Sequence, residues 1–452
     1  MTTATTAMAR MAPREILSRF NAARRRTLAL CDPLSAEDMM VQSSPDASPV
    51  KWHLAHTSWF FESFVLREFL PEYRDFNPDF SWLFNSYYQT FSAFPAKRLR
   101  SSFSRPGLDE VLHYCGYIDS AIEKLIESDP PPAALRSVEL GINHEEQHQE
   151  LLLTDVLHAF FTNPLRPVYR PWNETDDLPS SGGGVIDLTK LQAGDPPPLE
   201  FDEFEGGLRE AGYGGDGFCF DNELPRHRVW LEHFSFARRL VTCAEYAAFI
   251  ADGGYAKPEL WLSAGWDAVN ANGWNAPLYW TKQQGEQEGE NGAWRIFTLR
   301  GELPLETLAR CPVSHVSFYE ADAYARWASK RLPTEFEWEA VAEGRHLTGN
   351  FVDSGRLVPA PAAEQPSDSF SYDGPAQQFG DCWEWTSSAY LAYPGFQPLP
   401  GTLGEYNGKF MSNQMVLRGG SCATPDGHIR ASYRNFFSPE TRWQFSGIRL
   451  AS

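Results

Sequence analysis

The stretch LRSVELGINHEEQHQELLLTDVLHAFF (135–161) decides the fold of the N-terminal part of the chain. Its apolar residues recur at helical spacing along its whole length, which predicts one long amphipathic helix. Three other segments show the same kind of spacing: residues 14–30, the apolar segment that follows Pro49, and residues 108–127. Long helices that follow one another so closely in sequence are typical of a four-helix bundle.

The character of the sequence changes after Pro164. Residues 167–225 are rich in proline, glycine and acidic residues, and beyond them tryptophan and glycine are frequent and the apolar runs are short. The elements predicted there are helices beginning near 241 and 316, and strands within 381–388, 417–422, 430–437 and 442–450. We therefore predict an α-helical bundle over residues 12–165, followed by a larger, loop-rich α+β domain over residues 166–452.

The charge balance argues against two classes of partner. The 452 residues include 39 Lys and Arg against 59 Asp and Glu, a formal net charge of −20. Such a field repels nucleic-acid phosphates and anionic lipids, so we expect no nucleic acid and no membrane as partner. The seven cysteines are scattered without a CxxC pair, and the N-terminal segment has no secretory apolar core. We therefore expect a soluble protein of a reducing compartment, the cytoplasm.

His144 and His148 are the sharpest local signal. They are four residues apart on a predicted helix, so their imidazoles share one face and can bind one ion. The outline is that of the zinc-protease HExxH motif, but there the glutamate of the motif is the base and a third ligand follows closely. Here His53 and His56, on another predicted helix, are the candidates for a third ligand. Three neutral imidazoles would leave up to three open positions, as an oxygen-activating iron requires, whereas the alternative is a structural or solvated histidine pair.

Two further clusters could contact a substrate. Tyr87 and Tyr88 are neighbours within SWLFNSYYQTF (81–91), so at most one is expected to reach a given site, and the alternative is an aromatic core segment. A basic cluster follows in this otherwise acidic chain, formed by Lys97, Arg98, Arg100 and Arg105. Guanidinium groups suit the recognition of a carboxylate, and the alternative is a solvated surface.

Together these segments resemble the iron-dependent sulfoxide synthases of ergothioneine biosynthesis, over residues 12–452. That family joins an N-terminal DinB-like four-helix bundle to a domain of the formylglycine-generating-enzyme (sulfatase-modifying-factor) type, which is related to C-type lectin folds. In the bundle the resemblance rests on WHLAHTSWFFE (52–62), LFNSYY (83–88) and HEEQHQELLLTD (144–155). In the second domain it rests on FDNELPRHRVWLEHF (220–234), VTCAEYAAFI (241–250), RLPTEFEWE (331–339), CWEWTSS (382–388), VLRGGS (416–421) and SGIRL (446–450).

The resemblance implies an activity and a metal. The activity is the Fe(II)- and dioxygen-dependent joining of a thiol to C2 of the imidazole of hercynine, the trimethylated histidine, with sulfoxidation. His56, His144 and His148 match the iron ligands, which leaves His53 as a packing residue or a partner of a ligand. Gln147 matches the residue near the bound imidazole of the substrate.

The resemblance also bears on the thiol donor. Tyr87 and Tyr88 match the tyrosine pair of the branch that uses cysteine, and one hydroxyl would donate a proton to the reduced dioxygen. The branch that uses γ-glutamylcysteine has its active tyrosine in the second domain, where the loop LPGTLGEYNGKF has Tyr406 as its only tyrosine. That branch also has a Trp-Asp pair where this chain has Phe436 and Phe437. Both differences favour cysteine over γ-glutamylcysteine.

The remaining candidate residues would bind the substrates. The carboxylate of the donor would be bound by Arg98, Arg100 or Arg105, with Arg434 as a further candidate. Aromatic rings attract a quaternary ammonium group, so the trimethylammonium head of hercynine would lie against Phe436, Phe437 and Trp443.

Three alternative functions are weighed against this one. Formylglycine generation needs two cysteines three and eight residues after the serine of the GGS turn, and Thr424 and Ile429 occupy those positions. A non-catalytic binding protein is a second alternative, because both folds can serve that role. An ovothiol-type synthase acting on histidine is the third. Such chains usually carry an added methyltransferase domain, and we expect none in a sequence that ends at Ser452.

Overall fold

The computed structural model describes residues 12–86, 88–89, 91, 93–172, 198–282, 293–362 and 374–452. Two compact units are present, and each is described by itself. Of the described residues, the first unit contains those up to Leu165 together with the segments Gly214–Asp221 and Gln397–Gly408. The second unit contains the described residues within Arg166–Tyr213, Asn222–Phe396 and Lys409–Ser452.

The first unit is built on a bundle of four long helices in its described residues. They are α1 (Pro13–Cys31), α2 (Val50–Phe61), α5 (Leu108–Glu127) and α6 (Pro132–Thr162), with the short helices α3 (Arg67–Phe69) and α4 (Phe80–Leu83) between α2 and α5. The helices predicted from sequence are thereby confirmed, with ends that move by a few residues. None of the helices in the described parts of the chain is both long and apolar enough to cross a membrane.

Helix α2 lies at the centre of the bundle. All twelve of its residues are buried, and it packs against α5 and α6. A helix that is buried on every side is stable only when other elements surround it, and this one carries buried His53 and His56 among its apolar residues. After Phe61 the backbone continues as a π-helix over Glu62–Leu66, where the sequence predicted uninterrupted α-helix. The buried carboxylate of Glu62 accepts a hydrogen bond from the hydroxyl of Tyr114 at 2.7 Å.

The second unit contains short strands and helices, as the sequence predicted. Its strands are β1 (Phe201–Phe204), β2 (Gly207–Ala211), β3 (His227–Leu231), β4 (Phe234–Ala237), β5 (Trp280–Lys282), β6 (Trp294–Thr298), β7 (Gly301–Pro304), β8 (Trp383–Ala389), β9 (Met415–Arg418), β10 (Asn435–Phe437) and β11 (Ser446–Gly447). Its helices are α7 (Cys243–Ala251), α8 (Ser263–Asn272), α9 (Leu305–Leu308), α10 (Phe318–Trp327) and α11 (Glu335–Ala342). A four-stranded sheet has the order β10-β9-β8-β11, and only the β11–β8 pair is parallel.

Buried charges as well as rings fill the core of the second unit. Arg449 forms two hydrogen bonds of 2.7 Å with Glu384, which also accepts the indole N–H of Trp338 at 2.7 Å. Arg418 bonds Glu335 and Glu339 at 2.9 Å each. These hydrogen bonds offset the cost of burying the charges, and among the described residues only Nε of Arg418 in these two clusters has no hydrogen-bond partner.

Candidate metal centre

Three histidine side chains of the first unit converge on one point. His56 comes from α2, and His144 and His148 come from α6, one helical turn apart. One ring nitrogen of each residue lies within 4.8 Å of those of the other two. The ring centroids are 5.0 Å apart for His56 and His144, 4.7 Å for His56 and His148, and 4.6 Å for His144 and His148. The three residues that the resemblance matches to iron ligands therefore lie together in space.

The free nitrogens of this cluster fit a metal ion. Nε2 of His56 and both ring nitrogens of His144 are buried without a hydrogen-bond partner among the described residues. A buried polar atom without a partner costs about 1–3 kcal/mol, so such a cluster is normally satisfied by a ligand. Nδ1 of His56 donates to the carbonyl oxygen of Phe84 at 2.6 Å, which leaves the lone pair on Nε2 for an ion.

The electrostatics of the pocket keep the three rings neutral. Burial, and then the neighbouring histidines, hold the pKa of His56 and His148 well below the ordinary value of histidine. Burial lowers the pKa of His144 to about 3. A neutral imidazole has the lone pair that a metal ion needs, so no proton has to be displaced at neutral pH.

Aromatic rings hold the candidate ligands in place. The ring of His56 is stacked between Trp52, at 4.3 Å, and Trp59, at 5.4 Å. The guanidinium of Arg100 lies over the ring of Trp52, with its central carbon 3.5 Å from the ring centroid. The same guanidinium donates a hydrogen bond to the hydroxyl of Ser48 at 2.7 Å. These stacked planes restrict rotation of the imidazole and place a positive charge next to the pocket.

The predicted tyrosines have different surroundings. Tyr87 lies outside the described residues. Tyr88 is fully buried among aromatic rings, with ring centroids 5.0 Å from Phe64 and 5.9 Å from Trp59. Tyr406 contacts a candidate ligand directly: its ring centroid is 5.8 Å from that of His144.

Tyr406 is held by a loop of the first unit. Its ring is stacked on Phe220 at 5.7 Å, with 16° between the planes. The next residue, Asn407, donates to the carboxylate of Asp221 at 2.6 Å, and the same carboxylate accepts the amide of Leu399 at 3.2 Å. Sequence reasoning found the loop but did not place Tyr406 among the catalytic residues, and its position as the only tyrosine of that loop was the available signal.

The predicted carboxylate-binding residues fall into three groups. Arg100 is buried and lies against the stacked rings of the centre, whereas Arg98 and Arg105 are exposed. Arg434 belongs to the second unit, where it forms two hydrogen bonds with Glu335, at 2.8 and 3.0 Å. Its other nitrogen, Nη1, donates to a backbone carbonyl oxygen at 3.0 Å.

The remaining predicted substrate residues are half-buried. Gln147 precedes His148 on α6. Phe436 is stacked on Tyr390 of the second unit at 4.0 Å, and Phe437 contacts Trp443 at 5.3 Å. Their roles in binding the substrate stay predictions.

Comparisons with known proteins match most of the chain. Residues 19–152 match the family model of the DinB superfamily, and residues 203–452 match that of the sulfatase-modifying factor enzyme 1-like domain, so the predicted fold class is confirmed. A hercynine oxygenase of Mycolicibacterium smegmatis is 33% identical to this chain, and the match covers 95% of this chain and 96% of the length of that protein. Another, of Mycolicibacterium thermoresistibile, is 31% identical and covers 95% of this chain and 92% of its own. A formylglycine-generating enzyme of Streptomyces coelicolor, 28% identical, covers only 53% of this chain. The chain therefore belongs to the hercynine oxygenase family.

Proposed function

We propose that this enzyme is a non-haem, Fe(II)- and dioxygen-dependent sulfoxide synthase of ergothioneine biosynthesis. It would join a thiol to C2 of the hercynine imidazole and oxidise the sulfur to the sulfoxide. The observation that carries the proposal is the convergence of three neutral histidines, with their ring nitrogens within 4.8 Å, in a chain of the hercynine oxygenase family. Neutral nitrogen ligands with open positions suit a non-haem iron.

The reaction balances with one molecule of dioxygen. The C2–H bond of the imidazole and the S–H bond of the thiol are broken, and one C–S and one S–O bond form. One oxygen atom enters the sulfoxide and the other leaves as water, so dioxygen takes up four electrons, two for C–S bond formation and two for sulfoxidation. Bound iron would hold both substrates and supply the redox chemistry.

The residues of the chain would contribute positioning and charge. His56, His144 and His148 add no negative charge to the ion, which favours binding of the donor as a thiolate. The cation of Arg100 beside the pocket suits an anionic substrate group. Holding the sulfur next to C2 converts a bimolecular step into an intramolecular one.

Two sets of tyrosines are candidates for the proton donor. The contact of Tyr406 with His144 favours Tyr406, whose hydroxyl would protonate the reduced dioxygen. The pair Tyr87 and Tyr88 remains the alternative proposal. Cysteine is the proposed donor thiol on the basis of Phe436 and Phe437 alone. A donor role of Tyr406 points instead to γ-glutamylcysteine, the competitor, because the branch that uses it has its active tyrosine in this loop.

The test is an anaerobic reconstitution with Fe(II), followed by exposure to dioxygen with each pair of substrates. Hercynine with cysteine, hercynine with γ-glutamylcysteine, and histidine with cysteine are incubated in parallel and read by mass spectrometry. We expect a hercynyl sulfoxide, formed faster with cysteine. Product from histidine alone would instead support an ovothiol-type enzyme, and iron binding without any coupled product would refute the synthase.

The matched variants are His148→Ala and His158→Ala, which change histidines on the same helix. Removing His148 deletes a candidate ligand, so we expect turnover to be abolished. His158 bonds the hydroxyl of Ser43 at 2.7 Å, and its removal should leave turnover close to that of the wild type. Retained activity in His148→Ala would refute the assignment of the ligands.

A further inference from the structure

A line of hydrogen-bonded side chains leads away from the candidate metal centre. Nδ1 of His148 lies 2.8 Å from Nδ1 of His53, and Nε2 of His53 lies 3.0 Å from Oδ2 of Asp155. His53 and Asp155 are 3% and 7% exposed, so this line is shielded from water. We propose that Asp155 and His53 are positioning residues that fix the tautomer and orientation of His148, so that its Nε2 faces the metal.

The position of each hydrogen follows from the acceptor at the end of the line. A carboxylate only accepts, and Oδ2 of Asp155 takes both the amide of Ser48, at 2.8 Å, and Nε2 of His53. The hydrogen of His53 is therefore on Nε2. A neutral imidazole carries one hydrogen, so with that hydrogen on Nε2 the Nδ1 of His53 has a lone pair that can accept from His148, 2.8 Å away.

The consequence for His148 is a single usable tautomer. Its Nδ1 must carry the hydrogen that is shared with Nδ1 of His53, and the lone pair is then on Nε2. His56 has the same tautomer for a separate reason. Its Nδ1 donates to the carbonyl oxygen of Phe84, so its lone pair is also on Nε2. Two of the three candidate ligands thus have Nδ1–H bonded to a fixed acceptor and Nε2 left for the ion.

A purely structural role is the competing interpretation. The bond between His53 and Asp155 also ties α2 to α6, so its loss would lower stability whether or not the tautomer matters. The two interpretations differ in what happens to His148 in the metal-free protein. If the line orients His148, breaking it lets the hydrogen occupy either ring nitrogen, and the form with hydrogen on Nε2 cannot bind a metal through Nε2.

The variants are chosen in pairs that keep or remove an acceptor. Asp155→Asn keeps an oxygen for the amide of Ser48 and for Nε2 of His53, whereas Asp155→Leu removes it. His53→Asn places an oxygen where Nδ1 accepts, whereas His53→Leu removes the acceptor without touching the contact with Ser48. Thr154→Val changes a buried residue next to Asp155 whose hydroxyl bonds only locally, to Leu151 at 2.9 Å, and serves as the control.

Two measurements are made on each variant. Two-bond proton–nitrogen correlation spectra of metal-free, 15N-histidine-labelled protein show which ring nitrogen of His148 carries the hydrogen, with the signal assigned by its loss in His148→Gln. Anaerobic titration with Co(II), followed by absorption, gives the metal affinity. We expect Nδ1–H for His148 in the wild type, Asp155→Asn, His53→Asn and Thr154→Val. We expect mixed tautomers in both leucine variants, with an affinity for Co(II) about 10–100-fold weaker.

The outcomes separate this inference from the proposed function on which it rests. Folded leucine variants that keep the wild-type tautomer and bind Co(II) within twofold of the wild type would overturn the positioning role. A wild-type protein that binds neither Co(II) nor Fe(II) would overturn the metal centre and the inference together. Intact metal binding with the expected tautomers but no sulfoxide product would refute only the synthase reaction.

Discussion

At the scale of single residues, the candidate metal centre consists of groups that are costly to bury alone. His56 and His144 have nitrogens without partners among the residues that the structure describes, whereas His148 and His53 satisfy each other. Aromatic rings hold these buried imidazoles in place. Trp52 stacks on His56 and Phe60 stacks on His144, with ring centroids 4.3 Å apart in both pairs. Stacking restrains a ring without occupying the lone pair, so the nitrogens stay available to an ion.

A tyrosine exchange tests which hydroxyl supplies the proton. Tyr406→Phe keeps the stacking on Phe220 and removes only the hydroxyl, so iron affinity should not change. Because a general acid contributes about 10²–10⁴-fold, we expect sulfoxide formation to fall within that range, with a drift towards simple oxidation of the thiol. Mass spectrometry of the coupled and uncoupled products, with anaerobic Fe(II) titration, checks both expectations.

The matched change is Tyr88→Phe, which removes a hydroxyl from a ring packed between Phe64 and Trp59. If Tyr406 is the donor, this variant should keep most of its coupled product. A normal product ratio in Tyr406→Phe, together with loss of coupling in Tyr88→Phe, would transfer the role to Tyr88 and contradict the assignment to Tyr406.

Residue spacing in the sequence predicts most of this candidate site, and there is a physical reason why it cannot predict the rest. The interval of four between His144 and His148 fixes them on one face of α6, and local geometry alone is enough for that prediction. His53 and His56 are three residues apart on α2, so spacing could not decide between them, and both in fact face α6. Tyr406 approaches His144 only through tertiary folding, and no local pattern encodes a contact between such distant positions.

At the scale of elements, the approach of α2 to α6 depends on a glycine. Gly141 lies one turn before His144, and a Cβ at this position would be 2.3 Å from Cε1 of Phe61. Phe61 in turn meets the edge of Phe20 on α1, at 5.1 Å, so its ring has neighbours on more than one side. The two helices that carry the histidines are therefore in close contact one turn from the candidate metal centre.

Gly141→Ala should destabilise the protein although alanine is the better helix former. Intrinsic propensity favours alanine by about 1 kcal/mol, whereas overpacking a filled core costs about 1–3 kcal/mol. We expect a lower free energy of unfolding in urea, and weaker Co(II) binding because α2 and α6 are pushed apart. Gly116→Ala is the control, since Gly116 is exposed on α5 and its added Cβ would meet nothing within 4 Å. That variant should gain up to about 1 kcal/mol, and equal effects of the two changes would contradict the packing argument.

At the scale of the whole molecule, the compact units do not follow the sequence boundary. Gly214–Asp221 and Gln397–Gly408 lie within the span 203–452 that matches the second family model, yet they belong to the unit that contains the bundle. The change in composition after Pro164 predicts where the helices end, because composition is a local property. It could not predict that two later segments pack with the bundle, because that depends on tertiary contacts such as that of Tyr406 with His144 on α6.

Metal binding should protect particular thiols against alkylation. All seven cysteines are buried, and burial raises the pKa of Cys31 to about 12 and raises that of Cys115, so these two react mainly when the first unit opens. An ion that binds only the folded unit stabilises it by about 2.7 kcal/mol at one hundred times its dissociation constant. Opening of the first unit should then slow by about 100-fold, and the alkylation of Cys31 and Cys115 should slow with it. The rates are measured by peptide mass spectrometry after anaerobic pulses of iodoacetamide. His148→Ala with the same Fe(II) is the control and should show no slowing. Equal protection in that variant would mean that the ion acts elsewhere on the chain and would contradict a stabilising site at the three histidines.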